Sequence, residues 1–203
     1  METTLQNSDK YWHQLKSIMM TALEEEHFEI VNVIHENVPG ILSSIIKNRE
    51  TLLITNIYEK IQSMKWILDN YNFNNSDDES IIRNMFYNAV CFGKLKLVGL
   101  LKEYYPNLVY KNSNVGYLFF NACCCGYLEI ASIILKDNPD LKMREVDYEK
   151  MFSDACNSGY YELAIMLKKL NPQLKLDNDI MKISDKRIIK WINHGYEIPT
   201  ENV

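Results

Sequence analysis

The chain has 203 residues, 47% hydrophobic and 24% charged, enough apolar material to bury a core as one domain or one repeat array. A net charge of -5, a pI near 5.4 and scattered lysines weigh against a nucleic-acid surface, which needs clustered positive charge to displace phosphate counterions. No apolar stretch approaches the roughly 20 residues of a membrane span, and the polar opening METTLQNSDK lacks a signal-peptide profile, so a cytoplasmic protein without membrane contact is expected.

Residues 1–14 are expected to form an extension or cap. The first helical pair follows in "MTALEEEHFEIVNVIHENVPGI", residues 20–41, where Glu24, Glu25, Glu26 and His27 make a solvated acidic turn between two helices. In "LLITNIYEKIQSMKWILDNYNFN", residues 52–74, Met64, Ile67 and Leu68 keep a helical stripe, but the punctuating Gly and Pro are missing. The polar stretch "NYNFNNSDDES", residues 70–80, reads as an exposed loop.

Three segments then align at a period of 33: residues 86–108, 119–141 and 152–174. Phe86, Phe119 and Phe152 share a column, as do Ala89, Ala122 and Ala155; Gly93, Gly126 and Gly159; Pro106, Pro139 and Pro172; and Leu108, Leu141 and Leu174. Phe and Ala three apart lie on one face of a first helix, where the small Ala lets a neighbouring helix approach. The Gly ends that helix in a left-handed residue that carries no steric penalty for glycine. A second helix follows at once, with Leu128, Ala131, Ile134 and Leu135 as one expected buried stripe. Proline lies just beyond its end, and the following Leu returns to the core. The opening segment matches at an offset of 100, Ala22 with Ala122, Glu29 with Glu129 and Ile30 with Ile130. "DKRIIKWINHGYEIP" reads as a shortened last unit stopped by Gly195, with a polar outer side suited to an end. Trp12, Trp66 and Trp191 are expected in core or capping positions.

Five cysteines, an odd number within apolar helical patterns, fit a reducing compartment better than a disulfide framework. Cys123 and Cys156 share a column beside the packing Ala and are expected to be buried small hydrophobes. Cys123, Cys124 and Cys125 project about 100 degrees apart on a helix and cannot all ligate one ion, so no metal is expected; Cys124 or Cys125 could be an exposed thiol. Gly93-Lys94 lacks the remainder of a P-loop, and His35-Glu36 lacks the second His of a zinc protease. No cofactor and no catalytic residue are expected.

The period of 33, the helix-turn-helix unit and the run Gly126-Tyr127-Leu128-Glu129-Ile130-Ala131 resemble the ankyrin repeat, whose second helix opens with a similar Gly-His-Leu-Glu sequence. A tetratricopeptide reading has a period of 34 but finds none of that family's Trp, Leu-Gly and Tyr positions here. The resemblance covers residues 15–196 and implies an all-α ankyrin-type solenoid. Its units are approximately 15–47, 48–80, 81–113, 114–146 and 147–179, with a partial capping unit at 180–196 and a tail at 197–203. The family's Thr-Pro-Leu-His is replaced by Asn84-Met85-Phe86-Tyr87, Tyr117-Leu118-Phe119-Phe120 and Lys150-Met151-Phe152-Ser153, so the hairpins that join ankyrin units are expected to be irregular. More narrowly, the pattern is similar to divergent ankyrin proteins of giant DNA viruses that infect amoebae, which implies a host protein as partner. The resemblance implies a non-catalytic protein-binding module acting as a monomer through its concave face. By matched columns, that face would include Arg83, Cys91, Phe92, Ser113, Asn114, Gly116, Cys124, Cys125, Asp147, Glu149, Asn157 and Ser158, with Phe92 as the main anchor. A structural subunit that self-associates within a larger complex is the alternative.

Overall fold

A computed structural model describes residues 2–47, 60–73, 76–110, 114–176 and 183–197, and among them every regular element is an α-helix. In chain order these are α1 (Glu2–Glu24), α2 (Phe28–Asn37), α3 (Ile41–Lys47), α4 (Ile61–Asn70), α5 (Ser76–Cys91), α6 (Leu95–Tyr104), α7 (Val115–Cys124), α8 (Leu128–Asp137), α9 (Glu145–Asn157), α10 (Tyr161–Leu170) and α11 (Lys186–Asn193). Helices α2, α4, α6, α8 and α10 are each ten residues long and start at 28, 61, 95, 128 and 161, steps of 33, 34, 33 and 33.

One local rule ends four of the other helices. After α1, α7, α9 and α11 the chain closes a 6→1 backbone bond: His27 N–H donates to Ala22 O (2.8 Å), Tyr127 to Ala122 (2.8 Å), Tyr160 to Ala155 (2.8 Å) and Tyr196 to Trp191 (3.1 Å). This closure needs a left-handed residue just before the donor. Gly126 (φ 77), Gly159 (φ 80) and Gly195 (φ 71) supply it without a side-chain clash, whereas after α1 the position belongs to Glu26, held at φ 60.

The chain divides into two compact bodies, Met1–Ala89 with Lys96–Val109, and Val90–Leu95 with Tyr110–Val203. In the first body α4 lies beside α2 and α6 beside α4. Trp66 Nε1 donates to Asn32 Oδ1 (2.9 Å), and Tyr104 O–H to Asp69 Oδ1 (2.5 Å). Ser63 Oγ donates to the carbonyl of Leu23, tying α4 back to the end of α1. Met64, Ile67 and Leu68 are buried as expected, while Trp66 is only half-buried because its indole N–H meets a polar partner at the surface. Helix α1 runs unbroken through residue 14, and Trp12 on it is half-buried.

The stretch 70–80 is not an exposed loop. Asn70 ends α4, Phe73 is buried, and Ser76–Ser80 already belong to α5, whose Asp78 is buried and accepts from the Tyr71 hydroxyl (3.2 Å). Phe73 meets the rings of Tyr71 (4.6 Å) and Tyr105 (6.0 Å), an apolar contact that a polar composition concealed.

In the second body α7 packs against α8 and α9, and α9 against α10. Phe119, Phe152, Ala122, Ala155, Cys123 and Cys156 are all buried at this seam. Burial pushes the Cys156 thiol up to about 12 and raises Cys123 further, so neither is a ready nucleophile. The buried stripe of α8 is Ile130, Ala131 and Ile134, shifted from the expected set: Leu128 and Leu135 lie half-buried at its rim.

Adjacent hairpins interlock through the turn glycines. A Cβ placed on Gly93 would lie 2.6 Å from the ring of Tyr127, and one on Gly126 would lie 2.5 Å from the ring of Tyr160. Each glycine is thus the floor on which the aromatic residue 34 positions later rests. The connection 138–144, between α8 and α9, contains no strand.

Helix α11 packs its apolar side against α9 and α10. Ile188, Trp191 and Ile192 are buried, and Trp191 stands edge-on to Tyr161 (5.9 Å) and Tyr196 (5.3 Å). Lys168 is buried beside them, donating to Pro172 O (2.7 Å) and Leu174 O while its ammonium sits 4.6 Å from the Tyr196 ring centre. Those carbonyls and the ring replace the water that burial removes from the cation.

Candidate partner-binding surface

Helices α7 and α9 each turn one face into the seam and leave the other to solvent. On α7 the buried set is Leu118, Phe119, Ala122 and Cys123, so the outer stripe carries Tyr117, Phe120, Asn121 and Cys124. On α9 it carries Val146, Glu149, Lys150, Ser153 and Asn157. Two open clefts run along these stripes.

The first cleft, about 450 Å³, lies between the start of α7 and the 142–147 segment. Asn114, Gly116 and Asp147 line it, three of the residues singled out from sequence, together with Tyr117, Phe120, Met143 and Arg144. Asn114 caps α7, its side-chain oxygen accepting from the Tyr117 N–H (3.0 Å), which removes one unpaired helix donor. Gly116 is close to the Met143 sulfur, 3.1 Å from where a Cβ would stand, so the thioether can lie flat on the backbone. Asp147 forms a two-point ion pair with Arg144, with Nε and one Nη each 2.8 Å from a carboxylate oxygen. That hydrogen bonding holds the Asp147 carboxyl below its ordinary range and raises Arg144 above its own.

The second cleft, about 610 Å³, is bounded by α9 and residues 173–176. Glu149 and Asn157 line it as expected, with Val146, Lys150, Ser153 and Lys175. Its wall is polar and of mixed charge, in contrast with the aromatic wall of the first.

Cys124 joins the two stripes. Its thiol is half-buried, hydrogen-bonds the Asp154 carboxylate, and is pushed up to about 12, chiefly by burial and then by that bond. Asp154 in turn pairs with Lys150 (3.1 Å). A thiol held protonated beside a carboxylate is a poor nucleophile and metal ligand. Cys125 is exposed one residue on, and Cys91 is half-buried, accepting from Asn121 Nδ2 at 3.6 Å. Among the described residues no group of three or more His, Cys, Asp or Glu side chains is arranged to hold a metal ion.

Phe92 is well exposed in the turn after α5 and lines neither cleft. Ser158 is exposed in the turn after α9. Arg83 belongs to the first body, half-buried on α5 and paired with Glu79 (3.4 Å). Ser113 lies outside the described residues.

Tyr117, Phe120, Met143 and Val146 were not singled out by column matching. Tyr117 and Phe120 carry a signal that could have found them: they lie three apart, off the buried positions 118, 119, 122 and 123, and so face outward at helical spacing. No family model matches the chain, and no curated protein or solved structure matches it.

Proposed function

We propose that this chain is an ankyrin-type array, five repeats and a partial capping repeat, whose function is to bind another protein without catalysis. The observation that carries this reading is the outer side of α7 and α9, where Tyr117 and Val146 stand exposed beside two clefts, with Phe92 exposed in the neighbouring turn. Large apolar side chains held on packed helices lose little entropy on docking and supply most of the binding energy where they become desolvated. An ankyrin-type stack turns this side of its first helices inward, into the concave groove. The acidic net charge favours a protein over a nucleic acid, and among the described residues no helix is long and apolar enough to cross a membrane. The resemblance to viral ankyrin proteins makes a cytoplasmic host factor the partner this reading expects.

The polar contacts support recognition more than chemistry. Asp147 is engaged by Arg144, Asp154 by Lys150 and Cys124, and the Cys124 thiol stays protonated, so none of these groups is poised for proton transfer or attack. The test is affinity capture from amoebal cytosol with the wild-type chain and a Phe92→Glu, Tyr117→Glu, Val146→Glu variant. All three side chains are already exposed, so the fold is kept. Proteins lost from the variant alone support the reading; identical captures from two folded samples contradict it. A second reading, an assembly subunit, draws on exposed apolar residues of α1 and α2.

A further inference from the structure

The hairpin of α1 and α2 presents to solvent the columns that later hairpins bury. Ile18 is 49% exposed, while Met85, Leu118 and Met151 in its column are at most 2% exposed. Ile30 is 45% exposed, while Ser63, Leu97, Ile130 and Leu163 in its column are again at most 2%. The Ser63 hydroxyl shows which way this column points: it reaches back to the Leu23 carbonyl, on the hairpin before its own. Ile30 therefore faces the place of a preceding hairpin, and among the described residues nothing fills it. Tyr11, two turns before Ile18 on α1, and Val33, about one turn after Ile30 on α2, are exposed as well, at 65% and 61%. Scattered exposed apolar residues need no explanation, but apolar residues exposed in the columns by which hairpins stack mark an interface.

We propose that a second copy of this chain docks here, hairpin to hairpin across a two-fold axis. Among the described residues the other end of the chain is unsuited to this face: α11 buries Ile188, Trp191 and Ile192 inward and exposes Lys186, Arg187 and Lys190. Head-to-tail stacking would set Ile18, Ile30 and Val33 against charge, whereas head-to-head pairing sets apolar on apolar and closes at two copies. The charges fit the two-fold arrangement. Lys10 is exposed toward the start of α1, and Glu25 and Glu29 are exposed at the opposite end of the hairpin, beside the turn. Placing α1 antiparallel to its copy brings each Lys10 over the partner's acidic turn, so the contacts occur twice. This departs from the monomer that the sequence suggests.

Sedimentation velocity of the full chain from about 1 to about 200 μM tests it, a range that brackets a weak to moderate dimer. The expected result is a reversible monomer–dimer equilibrium that stops at the dimer. Ile30→Glu with Val33→Glu should weaken it at least about tenfold while leaving the helical circular dichroism unchanged, because two buried apolar contacts per copy become buried charges. Lys10→Glu should weaken it as well, and adding Glu29→Lys should restore it. A monomer at every concentration would overturn the proposal and leave the face to a different protein. Open-ended growth, or a dimer indifferent to Ile30→Glu and Val33→Glu, would overturn it too.

Discussion

Replacing Gly126 by alanine separates two roles that one glycine combines. The first is conformational: at φ 77 a side chain costs about 1 kcal/mol, after allowing for the reduced freedom of the unfolded chain. The second is steric. The new Cβ would lie 2.5 Å from two ring carbons of Tyr160 and 2.8 Å from a third, and a ring seated between hairpins cannot swing aside as a flexible chain end can. Overpacking of that kind costs about 1–3 kcal/mol, so Gly126→Ala should lose about 2–4 kcal/mol. Gly195 supplies the internal control, since it has φ 71 but nothing within 4 Å of a Cβ, and Gly195→Ala should lose only about 1 kcal/mol. Urea unfolding followed by circular dichroism at about 222 nm reads the difference, a gap in midpoint on the order of 1 M for a slope of about 2 kcal/mol per molar. Tyr160→Ala in the Gly126→Ala background should recover the steric part. Equal losses at the two glycines, or no recovery on removing the ring, would refute the interlocking of hairpins through glycine and tyrosine.

The first hairpin should gain from the reverse change: Glu26→Gly relieves a left-handed glutamate at φ 60 and should add about 1 kcal/mol, roughly 2–4 °C in Tm by thermal unfolding. Native-state alkylation near pH 8, read by peptide mass spectrometry, should label exposed Cys125 first. Cys124 and Cys156, pushed up to about 12, should stay largely unlabelled, their thiolate fraction being on the order of one part in ten thousand. Asp185 caps α11 by accepting from the Arg187 N–H (2.7 Å), and its carboxyl is held below the ordinary range, first by the Arg187 side chain. A depressed folded pKa stabilises fully above the unfolded value near about 4 and is lost as pH falls through the folded one. Stability measured by urea unfolding should therefore drop below about pH 4 less steeply in Asp185→Asn than in the wild type.

Most of the fold was legible because its punctuation is chemical. Gly126, Gly159 and Gly195 announce left-handed stops, Pro139 and Pro172 lie just past helix ends, and Ala122 and Ala155 mark close helix approach, each a local requirement that one residue type meets best. Where a local rule was broken the signal faded. Glu26 occupies a position that elsewhere takes glycine, which left that helix end without its usual marker. Phe73 and Asp78 sit in a polar run whose burial depends on Tyr71 and Tyr105, partners that a composition window does not weigh. The candidate surface was legible by column but not by chemistry. Asn114, Gly116 and Asp147 do share one cleft, and Glu149 and Asn157 another. The aromatic wall of the first cleft comes from Tyr117 and Phe120, which a register fixed on buried columns passes over, and the bond from Cys124 to Asp154 crosses between helices at a separation no local spacing encodes.

The central claim, that the outer stripes of α7 and α9 are a protein-binding surface, is tested most directly by site-specific photo-crosslinking in cell extract. A photoreactive phenylalanine analogue at Tyr117 or Val146 should trap the same protein. The analogue at Lys136, exposed on α8 of the same body and lining neither cleft, should not. Trapping of one species from both stripe positions and not from the control is the predicted result. Crosslinks that are absent at Tyr117 and Val146, or no different from those at Lys136, would contradict the account.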